Sequence, residues 1–550
     1  MRRALRYLLL VILPPDKIAR RMFPRTTPPT SVDGPSGSRG THHLDTSNGL
    51  HVHHVSSCEK RTSYLSHLRL LLTVWVGRVT INTLPDDVLL LIFYFYRATY
   101  LDRLGDVHRL LRLSWRWHRL VHVCRKWRSV GFGSPNFLDL RLVCGPSTHV
   151  ELTTIWPPLP IIITDMSDWS MREDYDFDAA IVCPNRVCEI NLLYLTSSLL
   201  QRLASAMQGQ FPALVHLSLG FYDHGRPRPA LPDAFLGGSA PQLQSLELNS
   251  IAFPALPKFL LSATDLVDLT LWDIPPSGYI PPEAIVTGLA VLANLKSLII
   301  GFESPLSLPD RESQYPLAPT RTALPALTRF EFKGVSKYLE GVVARIDAPL
   351  LDSIWITFFH QLIFDIPQLA QFIRRTTRFQ AFNEAHVTFG DFDVQVESLP
   401  PTRAFDEKSG LGISCTELDW QLSSLTQVFP SFFPSICMVE RLYIYRAYRR
   451  RTLPSQWQDD VENMQWLEFF HPFTAVKNFY VCKEFVQCIA HALQELVGER
   501  VTDVLLSLEK LFLDDPRPLG PVEEAIGQFV AARQFLGHPV TVSHWKREAL

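Results

Sequence analysis

The chain has 550 residues, 47% of them hydrophobic and 20% charged, which supplies apolar surface for a large core and excludes a mainly disordered protein. Its 53 Lys and Arg offset 55 Asp and Glu to a formal net charge of -2, and the one locally basic run is Arg446 to Arg451, so the charge footprint of a nucleic-acid binder is absent. Nine cysteines, an odd number scattered along the chain, exclude a small disulfide framework and point to a reducing compartment, cytoplasmic or nuclear.

Residues 1–80 read as a mostly disordered extension. Met1-Arg2-Arg3 and Leu8 to Leu13 resemble the charged and apolar parts of a targeting signal, but Pro14-Pro15 and Asp16 cut the run short. It is too short to span a bilayer, and no later stretch reaches about 18 apolar residues without charge, so no membrane partner is expected. From Pro24 to about Ser57 the chain turns to Pro, Ser, Thr, Gly and His, which cannot bury enough apolar area to fold. A short helix is expected at Tyr64 to Val76.

Residues 81–145 carry two amphipathic runs. Pro85 opens the first, with Val88, Leu89, Ile92 and Phe93 forming an apolar helical stripe and Asp86 and Asp87 complementing the dipole of its first turn. The second places Leu120, Val121, Val123, Cys124 and Trp127 on one helical face and Arg125, Lys126 and Arg128 on the other. Neither stripe can be buried by two short helices alone. The Leu84-Pro85 opening, the Ile92-Phe93 pair and the ending Val123-Cys124-Arg125-Lys126-Trp127 together resemble an F-box. That resemblance implies a three-helix module docking on a Skp-type adaptor, and through it on a cullin ubiquitin ligase. The adaptor-binding residues it implies are Leu84, Pro85, Val88, Leu89, Ile92, Leu120, Val123, Cys124 and Trp127. The connector from Arg97 to Arg116 is longer than in the compact form of the module.

Residues 146–550 repeat a pattern of apolar, two residues, apolar, one residue, apolar. It occurs at Val187/Ile190/Leu192, Leu214/Leu217/Leu219, Leu243/Leu246/Leu248, Leu266/Leu269/Leu271, Leu295/Leu298/Ile300, Leu327/Phe330/Phe332 and Leu351/Ile354/Ile356. After a gap, in which Phe379/Phe382 marks a degenerate unit and Glu397 to Gly412 reads as a loop, it resumes at Val439/Leu442/Ile444, Val476/Phe479/Val481 and Leu508/Leu511/Leu513. The spacing is close to the leucine-rich-repeat period of about 20 to 29 residues. Each unit reads as a short strand with a return segment, helical in Thr196 to Met207 and Pro282 to Leu292, and stacking buries the apolar ridge. The units resemble leucine-rich repeats, irregular ones: the third residue after Leu219, Leu248 and Leu271 is Tyr222, Ile251 and Ile274 where the repeat usually has Asn or Cys. The expected fold class is therefore α/β, a short N-terminal helical F-box followed by an irregular leucine-rich-repeat-like solenoid.

Residues between the apolar positions of each strand face the open side of the sheet. Aromatic and basic side chains gather there in the later strands, and Trp, Tyr and Arg anchor protein interfaces, so Trp355, Arg441, Tyr443, Tyr480 and Phe512 are the candidate substrate-binding residues. The alternative is that these rings are partly buried under flanking loops or a C-terminal helix such as Pro521 to Phe535. Cys183 and Cys188 lack a second Cys or His pair at zinc spacing, and the cluster His42, His43, His51, His53, His54 and Cys58 sits in a segment too flexible to preorganise a metal. No nucleophile elbow, phosphate-cradling glycine loop or metalloprotease helix is present, so neither catalysis nor a cofactor is expected. The expected role is substrate recognition in a Skp-cullin-F-box ubiquitin ligase, the alternative a non-catalytic interaction scaffold. The order of these parts, with Trp156-Pro-Pro-Leu-Pro-Ile161, resembles the fungal F-box proteins.

Overall fold

A computed structural model describes residues 84–101, 120–135, 137–144, 158–165, 181–222, 230–305, 321–376, 383–399, 409–432, 436–447, 463–496, 498–514 and 520–545. The expected N-terminal extension, the helix at Tyr64 to Val76, most of the Arg97 to Arg116 connector and the Phe379/Phe382 unit lie outside those residues. The chain forms two compact units, Met1–Val143 and Cys144–Leu550.

In the first unit, helix α1 (Asp86–Leu101) follows Pro85 and carries Asp86 and Asp87 in its first turn. Leu89 and Phe93, one turn apart, are buried, and the Phe93 ring meets Trp127 edge to face at 4.9 Å. Trp127 belongs to α2 (Arg125–Gly133). The single helix expected across Leu120 to Trp127 is instead broken. Leu120 and Val121 are helical, His122 and Val123 turn, and Cys124 is extended, its sulfur accepting the Trp127 amide as a cap for α2. The break has a local cause: Cys124 offers a side-chain acceptor where the first amides of α2 have no partner. It splits the expected stripe, leaving Leu120 and Trp127 in the core and Val123 at the surface.

The second unit is mixed α/β. Its strands are β2 (Ile161–Thr164), β3 (Val187–Leu195), β4 (His216–Phe221), β5 (Ser245–Asn249), β6 (Asp268–Ile274), β7 (Ser297–Phe302), β8 (Thr322–Ala323), β9 (Arg329–Gly334), β10 (Ile346–Asp347), β11 (Ser353–Phe359), β12 (Glu384–Phe389), β13 (Val394–Leu399), β14 (Ser409–Ser414), β15 (Arg441–Arg446), β16 (Asn478–Val481), β17 (Lys510–Leu513) and β18 (Thr541–His544), and the boundary between the units falls within the preceding strand, β1 (Leu142–Cys144). The short β8 and β10 pair with each other, and the other fifteen form one sheet in the order β2-β3-β4-β5-β6-β7-β9-β11-β14-β13-β12-β15-β16-β17-β18. From β2 onward neighbours run parallel except at β13, which is antiparallel to both β12 and β14.

Each of the ten apolar triplets lies on or just ahead of a strand, and all their side chains are 4% exposed or less. Pairing also brings equivalent positions opposite one another: Leu217 aligns with Leu246, Leu269 with Leu298, Phe330 with Ile354, and Leu442 with Phe479. Between strands run α3 (Ser197–Ala206), α4 (Leu256–Leu260), α5 (Pro282–Leu289), α6 (Ser336–Val343), α7 (Pro367–Arg375), α8 (Leu418–Phe432), α9 (Asn463–Phe470), α10 (Val486–Gln494) and α11 (Pro521–Phe535). From α4 to α11 each helix packs on the next, so they form a continuous row. Thr196 caps α3 by accepting the Leu199 amide, and Glu340 of α6 accepts the Gln368 and Leu369 amides at the start of α7.

The gap in the sequence pattern is where the topology changes. Gly390 to Asp393 form a tight turn, the Gly390 amide bonding the Asp393 carbonyl at 2.7 Å, and a turn this short returns the chain antiparallel. The loop expected over Glu397 to Gly412 begins and ends in strand, with β13 reaching Leu399 and β14 starting at Ser409. Glycine hid β14: Leu411 and Ile413 are buried as in any strand here, but Gly410 and Gly412 alternate with them. A Cβ on Gly410 would lie 2.3 Å from Trp355 Cζ3, and one on Gly412 would lie 3.0 Å from Thr357 Oγ1. Trp355 therefore lies over a strand that glycine leaves bare. Gly410→Ala is expected to destabilise the chain by about 1–3 kcal/mol through overpacking, read from its thermal melt. Adding Trp355→Ala should remove most of that penalty, and a double variant no better than Gly410→Ala would refute the clash.

Candidate functional site

The register defines one row of side chains across the open face of the sheet. It runs Asn191, Ser218, Glu247, Thr270, Ile299, Glu331 and Trp355, then Gly410, Glu397, His386, Tyr443, Tyr480, Phe512 and Ser543. The first half is largely polar, with Ser218 donating to Glu247 at 2.8 Å. The second half is aromatic.

There four rings stack across four adjacent parallel strands. His386 and Tyr443 have centroids 4.4 Å apart, Tyr443 and Tyr480 4.2 Å, and Tyr480 and Phe512 4.3 Å, with interplanar angles of 21°, 10° and 5°. Opposed side chains on neighbouring strands stand about 5 Å apart, so in-register rings meet face to face without distortion. Tyr445, two residues beyond Tyr443, lies parallel to it at 5.9 Å. Beneath the sheet, Phe389, Trp466, Phe470, Phe479 and Phe485 form a buried aromatic cluster that fixes the strands carrying the stack.

Of the five residues expected to bind substrate, the fold brings Tyr443, Tyr480 and Phe512 into direct contact. Arg441 lies one register row away, bonded to Glu384 at 2.7 Å. That pairing lowers the charge Arg441 presents to a partner. Trp355 shares the row but stands three strands from His386, about 14 Å at normal strand spacing, and donates from Nε1 to Thr357. The expected helix Pro521 to Phe535 is α11; it packs against α10 in the helix row. What lies on the stack is Trp545, just past β18, with its ring 5.3 Å from Tyr480, 6.1 Å from Tyr445 and 6.3 Å from Tyr443 at angles of 60° to 78°.

Sequence reasoning missed His386 and Trp545. The buried alternation Ala385, Val387, Phe389 and the extended Val540-Thr541-Val542 were the available signals, but each is too short to separate from the loops around it. Burial, followed by the neighbouring Tyr480 and Glu384, pushes the Tyr443 phenol up to about 12. Tyr443 thus keeps its proton at physiological pH and acts as a neutral donor or acceptor.

Of the residues expected to hold the adaptor, Leu89, Leu120 and Trp127 are core residues at 0%, 6% and 3% exposed, whereas Pro85 and Val123 are exposed. Leu84, Val88, Ile92 and Cys124 are half-buried. Leu91 and Tyr94 add exposed apolar surface. The opening and ending of the pattern are joined: Lys126 Nζ donates to the Leu84 carbonyl at 2.6 Å and pairs with Asp86 at 3.3 Å.

Among the described residues no group of three His, Cys, Asp or Glu side chains is placed to hold a metal, and no helix is long and apolar enough to cross a membrane. Cys188 donates to the Ile161 carbonyl. Burial pushes the Cys482 thiol up to about 12 and the Cys144 thiol to about 11, whereas Cys437 is exposed. Maleimide at neutral pH is expected to label Cys437 before Cys144 or Cys482, followed by mass spectrometry of the peptides; early labelling of Cys482 would contradict its placement. No protein-family model matches the chain, and a search of curated proteins finds no match.

Proposed function

We propose that the chain is the substrate-recognition subunit of a Skp-cullin-F-box ubiquitin ligase, holding a Skp-type adaptor through residues 84–127 and a protein target through the aromatic face of the sheet. The observation that carries the first half is the closure of the two motif ends on each other through Lys126 and the Phe93–Trp127 pair. It leaves Pro85, Leu91 and Val123 as exposed apolar residues around a buried support, which supports an adaptor-docking module. The parallel strands with their buried apolar triplets support reading the sheet as an irregular leucine-rich-repeat-like array, and the stacked rings supply rigid contact area that loses little side-chain entropy on binding. The mechanism is proximity, since the target need only be held near the ubiquitin-loaded enzyme.

Affinity purification of the intact chain beside a Leu84→Ala, Pro85→Ala variant, with the proteasome inhibited, tests this. The intact chain should recover a Skp-type adaptor and a cullin, and the variant should lose at least tenfold of both while keeping its thermal melt. Recovery of neither by the intact chain would overturn the reading.

A further inference from the structure

The last strand is held differently from the strands beside it. Thr541, Val542 and His544 of β18 are exposed, so the strand rests on backbone bonds such as Thr541 N to the Glu509 carbonyl at 2.9 Å and Trp545 N to the Leu513 carbonyl at 3.1 Å. Few buried contacts and a place at the edge of the sheet mark a segment that opens at low free energy. Its one large anchor is Trp545. The faces of Tyr443 and Tyr480 are taken up by the stack, so a ring meeting them at 69° and 78° lies with its own face against their edges. Ring edges are electropositive and ring faces electronegative, which makes that contact attractive. The fit is incomplete in two respects. Trp545 Nε1 is buried with no hydrogen-bond acceptor. The register position beyond Phe512 is Ser543, which ends the stack without a ring.

The geometry points to β18 and Trp545 as an internal stand-in for a partner: an extended peptide with aromatic side chains two residues apart that pairs with β17 in place of β18. One ring takes the place of Ser543 and continues the stack past Phe512, and the other lies where Trp545 lies. Strand alternation sets the two-residue spacing, because only every second side chain faces the rings. Main-chain bonds to β17 supply affinity and the two rings supply selectivity, as in recognition by strand addition. This rests on the stacked rings being the docking ground, and it makes the chain's own edge strand a competitor that lowers apparent affinity by the fraction of time it occupies the site.

The probe is a fluorescein-labelled peptide of residues 539–545 carrying Ser543→Trp, added to the full chain and followed by anisotropy. Binding is expected to be at least tenfold tighter to the Trp545→Ala chain than to the unaltered one, and to fall at least tenfold when both peptide tryptophans are replaced by alanine. Equal binding of the two peptides, or no binding to a Trp545→Ala chain whose melt is normal, overturns the proposal. Should that variant fail to fold, hydrogen exchange on the unaltered chain decides: saturating peptide should deprotect the amides of Thr541–His544 and leave Asn478–Val481 protected, and unchanged exchange in β18 overturns it. Adaptor recovery is a separate readout, so its loss with peptide binding intact sinks the ligase reading alone, and the converse sinks this one alone.

Discussion

Arg533→Ala is expected to destabilise the second unit by about 4 kcal/mol, in the range for a lost buried polar anchor with the cavity it leaves. Arg533 sits on α11 with no exposed surface, and among the described residues no carboxylate pairs with it. Its guanidinium donates instead to the carbonyls of Val501, Leu505, Leu506 and Leu508, at 3.0 to 3.4 Å. Those carbonyls belong to an irregular segment leading into β17, in which Leu505 has a positive φ of 49°. Burial also pulls the Arg533 pKa below its ordinary value, the expected sign for a cation taken out of water. Removing the side chain strands the carbonyls in an apolar setting and empties a large volume. Arg533→Lys should recover only part of the loss, since one ammonium group cannot span four acceptors. Urea unfolding monitored by hydrogen exchange of Val501 to Leu508 measures this, and a loss under about 1 kcal/mol would show that water or repacking satisfies the segment.

The second large effect is expected from Trp127→Ala in the first unit, about 3–5 kcal/mol for a buried aromatic truncated to alanine. Trp127 is 3% exposed and closes on Phe93 at 4.9 Å, so α2 loses its main hold on α1. The chain should then be cut by protease within residues 84–133 under conditions where the unaltered chain is not, while the second unit keeps its melt. On the proposed ligase reading adaptor capture should fall with it, for a reason distinct from Leu84→Ala, Pro85→Ala: the first would remove the support, the second the proposed surface. A Trp127→Ala chain as protease-resistant as the original would show that the two helices are held together by something other than these rings.

The strands of the second unit were legible because each announces itself locally. A triplet such as Leu217, Leu219 and the preceding Leu214 alternates into a core whatever lies beside it, and all ten triplets are buried. Tyr443, Tyr480 and Phe512 were legible for the same reason, since they occupy one position in three consecutive units. β14 was not, because Gly410 and Gly412 give no alternation signal; what makes Gly410 necessary is Trp355, 55 residues away in sequence, and Gly412 meets Thr357 on the same distant strand. The break at Cys124 was likewise invisible to a periodicity that runs through it.

Composition and pattern by themselves determined that this chain is mixed α/β, which side chains fill its core and which face outward, since burial parity depends only on a residue's place in its own strand. Tertiary structure decided who meets whom. The reversal at β13, the arrival of His386 beside Tyr443, the separation of Trp355 from the stack and the placement of Trp545 over it all depend on strand order and register. Those are fixed by pairing between segments distant in sequence, and no local periodicity carries that information.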